Sequence, residues 1–559
     1  MNIKTCLHIT LNMCGIFAIL NNITQYLAKD FIIEQFNKGK SRGPDDSNIL
    51  DLYIMNCMLG FHRLSINGLK KTSSQPFYIH NVFLVCNGEI YNYKKLYDLL
   101  DVEPTTESDC EVIVHLYLQY GIEQTIRMLD GEFSFILIDA RYNLKKMYIG
   151  RDPYGVRPLY MFRTKSPNLI YAFSSEIKQL SEIQKSLNDQ FVIVHFPPGT
   201  LSTYENYTIE YNSSEIWRYC ESTRYHQNLF SFYSLYESED LDTIYNNIRT
   251  YLTSAVLKRC LCTERPVSCL LSGGLDSSLI ASIAKKYVDI ETFSIGFSNS
   301  EDLKMARKVA NHIGSRHHEV IITKEEYLDA IPHVIRTIES YDTTTVRASV
   351  GNYLVAKYIA TVSDAKVILN GDGSDELCGG YLYMHKCPNA IEFDKETRRL
   401  LSNIHYFDVL RSDKSISSNG LEARTPFLDL HFVQYYLSIN PTIRFPKDGI
   451  EKLLLRSSFQ NSGLLPDEIL WRTKEAFSDG VSVDSIVDII HSHVKDMDLP
   501  IMDVFPYPKT QEEKYYRSIF EKEYTNTKII PHFWKPNFTD TEDPSARALD
   551  IYPINKEKL

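Results

Sequence analysis

From residue 14 to about residue 205 the chain runs in short apolar alternations broken by turn residues, at 16–20, 58–62, 82–86, 133–138, 146–150 and 170–174. Alternation at period two marks half-buried strands. Two or three helical stretches, such as 111–120, interrupt it. The pattern predicts stacked antiparallel sheets with few helices. Residues 206–240 are polar, with Asn, Ser, Glu and many Tyr, and read as a connector.

From Leu241 the texture changes. An amphipathic helix is predicted over 241–258 and a short buried strand over 267–271, and a Ser/Gly loop then leads into a helix over 279–287. Strands over 292–297, 319–322 and 366–369 alternate with helices over 302–313, 324–337 and 349–361. Such alternation predicts a doubly wound parallel sheet, with ligands past the carboxyl ends of its strands. Two glycine-rich loops fall at those ends. The expected organisation is a leader at 1–13, an antiparallel domain at 14–205, a connector at 206–240, a parallel-sheet domain at 241–534 and a polar tail at 535–559.

Composition narrows the picture in three ways. The 559 residues are 43% hydrophobic and 23% charged, which is globular composition and excludes collagen-like or wholly disordered chains. Sixty Lys+Arg against 71 Asp+Glu give a net charge of −11, so nucleic acid is not an expected partner. Eleven cysteines without a CxxC pair fit a reducing, cytoplasmic setting better than a disulfide framework or a structural zinc site. No apolar run reaches membrane-span length, and the first twenty residues lack the cleavage pattern of a secretory signal.

The most informative segment is Leu271-Ser272-Gly273-Gly274-Leu275-Asp276-Ser277-Ser278, placed between a strand and a helix. Backbone N–H groups and the helix dipole favour an anion there. The glycines allow close approach of phosphate oxygens, and Asp276 can hold magnesium. The spacing is not that of the kinase-type phosphate loop. The segment resembles the pyrophosphate loop of the ATP-pyrophosphatases, which cleave ATP between the α- and β-phosphates. Asn370-Gly371-Asp372-Gly373-Ser374-Asp375-Glu376 with Gly379-Gly380-Tyr381, the segment at 421–429, the segment at 471–480 and the stretch from Glu339 to Ser349 resemble, in order, the signatures of glutamine-dependent asparagine synthetases.

The resemblance implies that aspartate's β-carboxylate, a poor electrophile, first becomes β-aspartyl-AMP. ATP and Mg2+ are the implied cofactors. It assigns magnesium to Asp276 and Asp375, and the nucleotide to the loop 271–278 with Ile295, Asn370 and Gly371. Thr344, Thr345 and Arg347 are assigned to aspartate and the intermediate. Asp372 and Lys474 are assigned to adenylation, Lys474 helping to absorb phosphate charge.

The first domain would supply the nitrogen. Met13-Cys14-Gly15-Ile16 opens a series of motifs that resembles the class II, N-terminal-nucleophile (Ntn) glutamine amidotransferases, whose fold is an αββα sandwich. The series continues through the segments 42–45, 62–66, 87–92, 108–109 and 130–133. By this resemblance Cys14 is the nucleophile with its own α-amine as base, and Asn87 and Gly88 form the oxyanion hole. Arg63, Leu64, Ser65, Ile66, Asn67, Glu89 and Asp109 complete the glutamine site, Arg63 facing the carboxylate and Asp109 the ammonium group. The small-molecule partners implied are glutamine, aspartate and ATP, and a homodimer is the assembly considered.

Two departures stand out. Thirteen residues precede Cys14, yet a cysteine can serve as its own base only as the mature N-terminus. Start of translation at Met13 or removal of a leader is therefore expected. With 1–13 retained, an ammonia-dependent synthetase is the alternative. The family's Glu at position 372 is Asp here, shorter by one methylene or about 1.5 Å of reach. Two further readings stay open at this level: another amide-forming ligase of the β-lactam synthetase type, and a catalytically silent binding homologue.

Overall fold

In the strand Gly15–Leu20 every residue is buried, but successive side chains serve different layers. Ile16, Ala18 and Leu20 share a core with Val85, Ile136, Ile138 and Ile149. Phe17 and Ile19 pack on the other face with Ile32, Phe36, Leu180 and Ile183, which are helical. Period two thus puts one strand's residues into two cores. The computed structural model describes residues 14–22, 26–163, 170–187, 191–208, 215–227, 240–298, 300–473 and 486–539. Residues 1–13, expected to be a leader, lie outside them.

The first half is a four-layer αββα sandwich. Its seven-stranded sheet runs, edge to edge, Thr527–Lys528, Val192–His195, Tyr160–Arg163, Tyr171–Ser174, Gly15–Leu20, Cys57–Arg63 and Asp46–Leu52. The six-stranded sheet runs Glu215–Arg224, Thr200–Thr208, Lys145–Arg151, Gly131–Asp139, Val82–Ile90 and Phe77–Ile79. Leu84, Phe133, Phe135 and Leu137 of the latter pack outward on Leu96, Leu100, Ile113 and Leu116, which lie on the helices Tyr93–Leu100 and Val112–Met128.

Residues 206–240 are not wholly a connector. Glu215–Arg224 pairs along Thr200–Thr208 as the sheet's edge strand. Every residue from Arg218 to Arg224 is exposed, so the strand carries no apolar alternation by which to find it. The polar tail also starts later than 535: Asn537 Nδ2 donates to Glu396 Oε2 at 2.7 Å. A two-residue strand, Thr527–Lys528, joins the first half's sheet in parallel with Ile193 and Val194.

The second half holds a five-stranded, all-parallel sheet in the order Arg316–Ile322, Glu291–Phe297, Val267–Leu270, Val367–Leu369, Glu422–Arg424. Chain order reverses between Val267–Leu270 and Val367–Leu369, the point where open α/β sheets bind ligands. Buried ion pairs join the halves: Arg42 to Asp413 at 2.8 Å, Arg157 to Asp413 at 3.2 Å and Arg259 to Glu132 at 3.0 Å. No helix among the described residues is long and apolar enough to cross a membrane.

Candidate active sites

Both glycine-rich loops leave the sheet at this switch point and line one cavity of about 330 Å³. The first runs from Val267–Leu270 to the helix Leu275–Lys285. Ser277 Oγ accepts from the Ser272 N–H at 3.1 Å and fixes the turn. Gly273 has φ +75°, and a Cβ there would lie 2.4 Å from the Ala306 nitrogen, so only glycine fits. Leu271, Ser272, Gly274, Leu275, Asp276, Ser277, Ile295, Asn370 and Gly371 line the cavity, whereas Ser278 is buried beneath it. A Cβ on Gly371 would sit 2.8 Å from the Asp276 Cβ, so the two loops touch only because position 371 is bare.

Where the loops meet, a residue absent from the sequence-level assignments takes the centre. Lys452 Nζ lies 2.8 and 2.7 Å from the two carboxylate oxygens of Asp276, and 2.5 Å from Asp375 Oδ1. Burial disfavours its charge, but Asp276 and Asp375 outweigh burial and hold Lys452 above the usual lysine range. The two carboxylates thus converge on one cation position with an all-oxygen donor set, which suits a hard divalent ion such as Mg2+. Lys474 lies outside the described residues. Nothing local in Ile450-Glu451-Lys452-Leu453 announces the role: the lysine stands between Glu451 and Leu453 with no motif around it.

Asp372 is paired with Arg411 Nη2 at 2.9 Å, and Arg411 also holds Asp408 at 3.0 Å. Burial pushes the Asp372 carboxyl up, with Arg411 opposing and Asp408 adding to the shift. Thr344, Thr345 and Arg347 line the same cavity. Asp342 caps their helix, accepting from the Thr345 N–H at 3.0 Å and from the Thr344 hydroxyl at 2.7 Å. Arg347 is held bidentately by Glu512, at 2.8 and 2.5 Å.

The second cluster lies in the sandwich. Cys14 precedes the strand Gly15–Leu20, and its Sγ exchanges bonds with Leu64, accepting from the N–H at 3.3 Å and facing the carbonyl at 3.4 Å. Burial pushes the thiol up to about 12, so it is no thiolate at neutral pH and needs a base. Among the described residues no carboxylate or imidazole hydrogen-bonds to it. Asn87 Nδ2 reaches Ser175 Oγ at 3.4 Å, and that oxygen accepts from the Ile16 N–H at 3.0 Å, tying Asn87 to the nucleophile's strand. Gly88 follows on the same strand, where a Cβ would strike the Glu132 carbonyl at 2.3 Å.

Arg63 donates to the carbonyls of Lys70, at 2.9 Å, and of Gly68, which fixes its guanidinium. The Ser65 N–H donates to Asp45 Oδ2 at 2.8 Å, and Asn67 Nδ2 to Glu89 Oε2 at 2.6 Å. Glu89 and Asp109 are buried side by side, with Cys262 of the second half against them. Burial, together with Asp109 and Glu422, pushes Glu89 well above the usual carboxylate range; Arg424, at 3.3 Å, opposes this. Burial pushes Asp109 up to about 6. Glu89 thus has Asn67 and Arg424 as partners and Asp109 accepts from the Ile90 N–H at 2.7 Å, and together they form an acidic cluster suited to a cation.

A four-layer sandwich opening on a cysteine, joined to a parallel sheet with an ATP-type loop, defines a two-centre amidotransferase ligase: one centre frees ammonia and the other activates an acid. Residues 13–210 match the family model described as glutamine amidotransferase domain, and residues 247–392 and 388–528 match the model described as asparagine synthase. The chain is 43% identical over 567 residues to the asparagine synthetase [glutamine-hydrolyzing] of Cricetulus griseus, covering 97% of this chain and 99% of that protein. It is 42% identical to the proteins of the same name from Homo sapiens and Gallus gallus, over 567 and 573 residues, with the same coverage. The chain belongs to the family of glutamine-hydrolysing asparagine synthetases.

Proposed function

We propose that this chain makes L-asparagine from L-aspartate, ATP and ammonia freed from glutamine, releasing AMP, pyrophosphate and glutamate. The observation that carries the reading is the meeting of Asp276, Asp375 and Lys452 at the switch point, in the cavity that also holds Asp372, Thr344 and Arg347. An oxygen of aspartate's β-carboxylate attacks the α-phosphorus and pyrophosphate leaves. The loop N–H groups and Lys452 stabilise the charge growing on the phosphate oxygens. Asp276 and Asp375 would hold Mg2+, which would supply further charge neutralisation to the triphosphate when bound. Asp372, tied to Arg411, takes the place of the family glutamate.

In the sandwich the Cys14 thiol passes its proton to the residue's own α-amine and attacks the glutamine amide carbon. Asn87 Nδ2 and the Gly88 N–H receive the oxyanion, ammonia departs, and water releases glutamate from the thioester. Arg63 binds the substrate carboxylate, while Asp109 and Glu89 bind its ammonium. Ammonia then attacks the β-carbonyl carbon of the adenylate, AMP leaves with the bond's electrons, and the nitrogen loses a proton. The base requires Cys14 to be the first residue of the working protein, which acts in the cytoplasm.

The test supplies amide-15N glutamine with aspartate and MgATP, and follows 15N-asparagine and pyrophosphate. Equimolar labelled asparagine and pyrophosphate are expected. Glutamate release without labelled asparagine, or an amide product other than asparagine, overturns the reading.

A further inference from the structure

The loop that carries the glutamine-binding residues 64–67 is built only partly by its own domain. Each of the four residues from Ser65 to Gly68 makes at least one hydrogen bond to the segment 262–265 of the synthetase half. Arg265 Nε donates to the Ser65 carbonyl at 2.9 Å. The Glu264 N–H donates to the Ile66 carbonyl at 3.1 Å. Asn67 Nδ2 reaches the Cys262 carbonyl at 3.4 Å, and the Gly68 N–H donates to Glu264 Oε1 at 2.7 Å.

The last of these bonds has a direct consequence for the site. The Gly68 carbonyl accepts from the Arg63 guanidinium. Glu264 holds Gly68, Gly68 holds Arg63, and Arg63 faces the substrate carboxylate. Gly68 has φ +62°, a conformation open to glycine, which brings its N–H to Glu264 and its carbonyl to Arg63. The segment 262–265 also runs directly into the strand Val267–Leu270, whose carboxyl end is the ATP loop. Leu64 and Ile66 share one core with Leu271 and Leu275 of that loop.

We infer that Glu264 and Arg265 are positioning residues for glutamine, supplied by the synthetase half to the amidotransferase site. Neither touches the reacting atoms; they act through Gly68, Ser65 and hence Arg63. The inference rests on the glutamine site proposed above. Glu264 is exposed and Arg265 half-buried, so substitution leaves the cores intact.

The test measures the glutamine dissociation constant by calorimetry on the full chain carrying Cys14→Ala, so that nothing is turned over. Glu264→Ala, Arg265→Ala, the double variant and Glu264→Gln are compared with this parent. Asparagine formation from ammonium chloride is followed for the same changes in the chain that keeps Cys14. Each alanine variant is expected to bind glutamine about tenfold more weakly, a loss of about 1.4 kcal/mol. Glu264→Gln keeps an acceptor for the Gly68 N–H and is expected to restore most of the affinity. Ammonia-dependent synthesis stays within about twofold of the parent, a window well inside the 1.4 kcal/mol that a tenfold change represents. Unchanged glutamine affinity in the double variant overturns the inference. So does a parent that does not bind glutamine, or a parallel loss of ammonia-dependent synthesis, which would mark a merely structural role. An unsubstituted chain that makes no asparagine from ammonia refutes the synthetase reading instead, and leaves the affinity comparison standing.

Discussion

The two centres handle buried charge in opposite ways. At the switch point three carboxylates already have cationic partners: Asp276 and Asp375 hold Lys452, and Asp372 holds Arg411. In the sandwich Glu89 faces Arg424 at 3.3 Å, but among the described residues Asp109 has no ion pair. Burial pushes Cys14 up to about 12 and Asp109 up to about 6, and lifts Glu89 as well. A centre that must grip a polyanion needs fixed positive charge and oxygen ligands in place beforehand. A centre that binds a zwitterion can leave its carboxylates waiting for the substrate's ammonium.

The sharpest break of the comparison is at the nucleophile. Cys14→Ala is expected to abolish glutamate release while ammonia-supported asparagine formation continues, as paired assays with the two nitrogen donors will show. Lys452→Met should do the reverse. Pyrophosphate release is expected to fall about 10²- to 10³-fold, the usual cost of removing one donor aimed at developing charge, and glutamine hydrolysis should persist. If both activities fall together, the two sites are not separable as described.

Asp372 gives a smaller and graded effect. Asp372→Ala, which also strips Arg411 of a partner, is expected to slow adenylation far more than Asp372→Glu, measured as aspartate-dependent exchange between ATP and pyrophosphate. Equal rates for the two variants remove this carboxylate from the reaction.

The mildest effect is a pH limb. Asp109 has a raised pKa in the folded chain, so it takes up a proton at higher pH than an ordinary aspartate. Protonation removes the charge that meets the substrate ammonium. The kcat/KM for glutamine should hold above about pH 6 and fall towards tenfold per pH unit below it, whereas ammonia-dependent synthesis should show no limb from this group. The stability sign is opposite. Because the folded pKa lies above the unfolded one, ionising Asp109 costs stability as pH rises from the ordinary value of 3.8 through about 6.

Much of this was legible in the chain because local rules and the fold agree. The alternation around Ile16 and around Phe133 gave strands serving two cores, and the loop after Cys269 lies between a strand and a helix as its glycines imply. Lys452 was not legible. It meets Asp276 and Asp375 across more than seventy residues of intervening chain, in a left-handed conformation with φ +55° and no local pattern. The edge strand Glu215–Arg224 escaped because exposure on both faces erases period two. Glu264 and Arg265 read as ordinary surface charge, since their partners are backbone groups of another domain, which no side-chain spacing reveals.

The short strand Thr527–Lys528 has a consequence for how the protein is made. The sandwich is the first part of the chain to leave the ribosome, yet its seven-stranded sheet ends at Val192–His195 until residues near the far terminus arrive. At about 5 to 20 residues per second, that edge stands open for roughly 20 to 60 seconds of synthesis. An unpaired edge is a template for wrong partners. The nascent amidotransferase half thus carries an edge that the finished chain covers at Ile193 and Val194, and a chain cut short before Thr527 lacks that cover.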